Sequence, residues 1–89
     1  MKQGEDDNKF KELLDEEYTW PANYIFKFIV SAEKVSEVTR LFEPEADIRI
    51  KESSKGKYTS VTVNCVMPDA GTIIAIYQKA SEIEGIISL

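Results

Sequence analysis

The sequence predicts a two-layer α+β sandwich, and three observations carry that prediction. Apolar and polar residues alternate with period two over residues 24–30, 48–51 and 61–67, which marks three half-buried strands. Apolar residues recur at three- and four-residue spacing over 35–42 and 73–83, which marks two amphipathic helices. The elements follow one another in an order that makes the sheet antiparallel and places both helices on one face. At 89 residues the chain has material for a single core.

Phe10, Leu13 and Leu14 stand at helical spacing behind Asp7 or Asn8 as N-cap, so a short leading helix of about two turns is expected. Before it, residues 1–9 read as a flexible acidic tail, leaving 10–89 as the single domain. Pro21 forces its predecessor, Trp20, out of helical geometry. The first strand then puts Tyr24, Phe26, Phe28 and Val30 on one face and Ile25, Lys27 and Ile29 on the other. Ser31 is an N-cap candidate for the helix carrying Val35, Val38, Leu41 and Phe42, and Pro44 ends it.

Ile48 and Ile50 alternate with Asp47, Arg49 and Lys51 in the second strand. Ser53-Ser54-Lys55-Gly56 reads as the turn of a hairpin, with Gly56 at positive φ. The third strand follows, with Val61, Val63, Cys65 and Met67 inward and Ser60, Thr62 and Asn64 outward. Pro68 and Asp69 open the last helix, Asp69 as N-cap, and Ile73, Ile76, Tyr77, Ala80 and Ile83 form its buried stripe. After Glu84-Gly85, residues 86–89 make a short fourth strand.

Beyond the leading helix the order is βαββαβ, the ferredoxin-like arrangement, and right-handed crossovers place the strands in the order 4-1-3-2.

Composition excludes several kinds of function. Eleven Lys and Arg against sixteen Asp and Glu give a formal net charge of −5, which opposes binding to a nucleic-acid backbone. The sequence has no His, so the commonest metal ligand and general base are both missing. Its one Cys rules out an internal disulfide and points to a reducing compartment. The polar, acidic first residues predict no secretory leader, and no apolar run approaches the ~20 residues of a membrane span. A cytoplasmic protein with no cofactor and no metal is therefore expected.

The chemistry known on this topology finds little support in the loop Ser31-Ala32-Glu33. A phosphate-holding enzyme of the acylphosphatase type needs an Arg there, and a copper or zinc chaperone needs two Cys. Lys55-Gly56-Lys57-Tyr58-Thr59-Ser60-Val61 has the outline of an RNA-binding signature, but Lys57 and Thr59 stand where that signature needs stacking aromatics. Cys65, mid-strand, reads as a small hydrophobe.

One surface remains. If Phe26, Phe28, Ile48, Ile50, Val61, Val63 and Cys65 face the helices, then Ile25, Lys27, Ile29, Arg49, Lys51, Tyr58, Ser60, Thr62 and Asn64 share the open face. Lys55, Gly56 and Lys57 extend its positive charge at the hairpin. The face is either a solvated sheet with basic stems lying over the isoleucines or a partner surface. The leading helix could also fold back and hide Ile25 and Ile29 under Phe10 and Leu13.

At the hairpin, Ser53-Ser54-Lys55-Gly56-Lys57-Tyr58-Thr59-Ser60-Val61-Thr62-Val63 resembles the signature of the YbeD-like family, small bacterial proteins of unknown function. Tyr24-Ile25-Phe26-Lys27-Phe28-Ile29-Val30 is similar to that family's first strand, and Phe10-Lys11-Glu12-Leu13-Leu14 with Trp20-Pro21 to its N-terminal segment. The likeness covers residues 10–89, with departures at 15–19 and at Pro68-Asp69. It implies an ACT-like ferredoxin fold without established catalytic residues. ACT domains are regulatory ligand-binding modules with a Gly-containing loop after the first strand, and Ser31-Ala32-Glu33 lacks that Gly.

These readings converge on a non-enzymatic binding or regulatory module. Its expected surface is Ile25, Lys27, Ile29, Arg49 and Lys51 with Lys55, Gly56, Lys57 and Tyr58, and its expected occupant a protein partner or a small anionic ligand. No nucleic acid or membrane is expected, and a homodimer is one form such a partner could take. The alternative is a binder of phosphate esters or other small molecules, or a small enzyme, using the same hairpin lysines.

Overall fold

A computed structural model describes residues 3–53 and 55–89, the side chains of residues 3–7 aside. The elements are α1 (Gln3–Glu17), β1 (Ala22–Val30), a 3-10 turn (Ala32–Lys34) running into α2 (Val35–Thr39), β2 (Asp47–Glu52), β3 (Thr59–Met67), α3 (Ala70–Ala80) and β4 (Ile87–Ser88). The four strands form one antiparallel sheet in the order β2-β3-β1-β4, which is the predicted 4-1-3-2 read from the other edge. The fold is thus α+β and ferredoxin-like.

The alternation in the sequence sets the layers. Phe26, Phe28, Val30, Val61 and Val63 are fully buried against the helices, with Val38 of α2 and Ile73 and Ala80 of α3 packed over them. An aromatic cluster runs through this core: the rings of Phe26, Phe28 and Phe42 lie within 6.4 Å of one another, and Tyr77 lies 5.2 Å from Phe26. Asp69 caps α3 as predicted, accepting hydrogen bonds from the Thr72 amide and hydroxyl, each at 2.8 Å. Gly56 turns the hairpin at φ 69°, a backbone state that costs a residue without a Cβ nothing. Ser54, predicted to share that turn, lies outside the described residues, as do Met1 and Lys2 of the predicted tail.

Several details differ from the sequence expectation. The first helix is 15 residues long rather than about two turns. Of its three apolar residues Leu14 enters the core and Phe10 packs against it, whereas Leu13 is 58% exposed. The second helix is only five residues long, and Ser31 forms no side-chain cap; Leu41 and Phe42 lie in the turns that follow. The outer strand β2 is left largely exposed, with Ile48 its one half-buried residue. Ile50, predicted to be core, shares the inward parity of its register partner Val61 yet is 52% exposed, and Ile48 and Cys65 are half-buried.

Candidate functional site

The position of α1 decides what the open face presents. α1 packs against α3, with the ring of Phe10 5.9 Å from that of Tyr77, and so joins the helix layer. The molecule measures 39 × 32 × 19 Å, and its short dimension fits one sheet under one helix layer; a further helix would add ~10 Å. The chain turns back toward β1 through Tyr18-Thr19-Trp20-Pro21, where the Trp20 indole donates to the Asp15 carboxylate at 2.9 Å. That hydrogen bond holds the Asp15 carboxyl below the ordinary carboxylate range, aided by Lys11 at 3.3 Å. The leading helix thus does not cover this face: Ile25 is 60% exposed, while Ile29 is half-buried.

Register brings the predicted residues together in rows, because directly opposed residues of antiparallel strands share a face. Lys27 and Arg49 both oppose Thr62, so they flank it from β1 and β2, ~10 Å apart across two strand spacings. Lys51 and Ile29 both oppose Ser60, and Ile29 opposes Ile87 on its other side. Asp47 and Ile25 both oppose Asn64. The face is therefore a basic row between two rows that carry the isoleucines. Arg49 lies 3.6 Å from Asp47, while Lys27 and Lys51 have no ion pair among the described residues.

The hairpin contributes differently. Lys55, Gly56, Lys57 and Tyr58 are all exposed, Tyr58 at 54%. Its amides serve the turn itself: Gly56 donates to the Ser53 carbonyl at 2.9 Å, and Tyr58 exchanges bonds with Ser53 through backbone and side chain. Lys55 and Lys57 add charge at the end of the face.

The sequence reading missed two groups. Ile87, 51% exposed, belongs to the apolar margin of the face, but a two-residue strand gives no periodicity to read. Val66, 62% exposed, has the outward parity of Asn64 and was the one apolar residue on that side of β3. A cleft of about 580 Å³ also opens where α2 stops short, between the loop that enters β2 and the start of α3. No described group of His, Cys, Asp and Glu is placed to hold a metal ion, and no described helix is long and apolar enough to cross a membrane.

Comparison with known proteins agrees with the hairpin motif. Residues 15–89 match a family described as "Protein of unknown function (DUF493)". The chain belongs to that family. A UPF0250 protein of Shewanella halifaxensis (strain HAW-EB4) is 31% identical over 86 residues, covering 90% of this chain and 93% of the relative. This bears out the YbeD-like resemblance. No solved structure gives a significant match to the chain.

Proposed function

We propose that this DUF493 chain is a non-enzymatic binding or regulatory module, and that it binds an acidic, partly apolar protein segment on the open face of its sheet. The observation that supports the reading most is the packing of α1 on α3, which leaves Ile25 and Ile87 exposed and Ile29 half-buried beside Lys27, Arg49 and Lys51. An apolar patch crossed by basic side chains in a chain of net charge −5 favours a partner that supplies carboxylates between apolar groups. Lys55, Lys57 and Tyr58 extend the same chemistry at one end of the face.

The test is an NMR titration of the labelled chain with a short peptide rich in Glu and Leu, repeated with the Lys51→Glu/Lys55→Glu variant. Amide shifts on residues 25–29, 49–51 and 58–62, weakened by salt and lost in the variant, support the reading. Shifts placed elsewhere, or unchanged by charge reversal, overturn it. Both lysines are exposed, so the variant keeps the fold.

A further inference from the structure

The cleft beside α2 has the opposite electrostatic character from the sheet face, and nothing in the sequence pattern announces it. α2 ends at Thr39, and the chain crosses to β2 in turns held by the Leu41 and Phe42 amides donating to Val38 and Thr39. The path leaves a notch of about 580 Å³ that no helix fills, within the ~300–1,000 Å³ range of small-molecule sites. Its walls are mainly apolar, through Leu41, Phe42, Cys65, Met67 and Ile76, with Asn64 and Thr72 adding polar groups. Burial pushes the Cys65 thiol up, so the group lines the wall in its neutral form.

The charged residues lining the cleft are all acidic. Glu43, Glu45 and Asp47 border it, and no described Lys or Arg does. Asp47 is partly offset by Arg49 at 3.6 Å, whereas Glu43 and Glu45 are exposed and have no ion pair among the described residues. An apolar recess bordered by unpaired carboxylates repels anions and attracts a cation that carries its own apolar body. We infer that this cleft is a binding site for an amphipathic amine, a small molecule with an aromatic or branched aliphatic body seated against Phe42, Met67 and Ile76 and an ammonium group held by Glu43 and Glu45.

The probe is 2-phenylethylamine, with 3-phenylpropanoate as a control of similar shape and opposite charge, each titrated into the labelled full chain and followed by NMR. The amine shifts amides of residues 41–47, 64–68 and 72–76, and the carboxylate shifts none of them at the same concentration. Glu43→Gln/Glu45→Gln weakens amine binding about five- to tenfold, as expected for two solvent-facing ion pairs. Equal binding of the two probes, shifts confined to the sheet face, or an unchanged affinity in the double Gln variant overturns the inference. The cleft meets the open face at Asp47 and Asn64 but is not lined by Lys27, Lys51 or Lys55, and the double Gln variant leaves those lysines in place, so failure of this test and failure of the open-face reading are distinguishable.

Discussion

The phenol oxygens of Tyr24 and Tyr77 lie 3.1 Å apart and join β1 to α3 across the aromatic core. Burial pushes the Tyr77 hydroxyl far above its ordinary value, and the bond to Tyr24 adds to that. The native state therefore holds this proton more tightly than the unfolded chain does. The resulting stability is complete below the ordinary tyrosine value of ~10 and is lost as pH rises toward the folded value. Tyr77→Phe should cost about 1 kcal/mol at neutral pH, the net worth of one hydrogen bond, and should flatten the alkaline fall in stability. Urea unfolding at neutral pH and above pH ~10 measures both effects.

Two isoleucines that look alike in the sequence should respond differently. Ile73 is fully buried between α3 and the sheet, and Ile73→Ala should cost about 2–5 kcal/mol through lost burial and the cavity left behind. Ile50 has inward parity but is 52% exposed, because α2 ends before it can cover β2. Ile50→Ala should stay within about 0.5 kcal/mol of the parent. A loss at Ile50 approaching that at Ile73 would mean that a covering element sits over β2.

The contrast marks what was legible in the sequence. Strand parity was, because a period of two leaves one choice once Phe26, Phe28, Val61 and Val63 must be buried together. The basic row followed from the same parity, since Lys27 and Arg49 both fall opposite Thr62. The length of α2 was not legible: Val35, Val38, Leu41 and Phe42 satisfy a long helix as well as a short one followed by turns. The exposure of Ile50 and the cleft both follow from that ambiguity. The docking of α1 was hidden too, because its apolar spacing suits either side of the sheet and the Phe10–Tyr77 contact that decides it is long-range.

Thr59 offers a case of stabilisation by removing a polar group. It pairs with Val30 and Glu52 at the end of β3, is 2% exposed, and its hydroxyl has no hydrogen-bond partner among the described residues. A buried hydroxyl without a partner carries an uncompensated desolvation cost. Thr59→Val keeps the β-branched shape and removes that cost, so it should raise stability by about 1 kcal/mol. A higher urea midpoint with an unchanged slope is the expected result; a lower one would mean that the hydroxyl is bonded.

Asp69 gives the acid side of the pH profile. The Thr72 amide, and then the Thr72 hydroxyl, bond its carboxylate and hold it below the ordinary carboxylate range. The native state thus releases this proton more readily than the unfolded chain. The contribution is present above the ordinary value of ~4 and is lost as pH falls through the lower, folded one. Asp69→Ala removes the acceptor and should lower the melting temperature at neutral pH. Asp69→Asn keeps a neutral acceptor for the Thr72 amide, so it should retain most of the capping while removing this part of the acid dependence. Thermal melts from neutral pH to about pH 3, the range that spans carboxylate titration, separate the two. If Asn and Ala behave alike at neutral pH, the charge matters there and not the cap; if Asn keeps the parent's acid slope, the protons are taken up elsewhere, with Asp15 beside Trp20 the next group to replace.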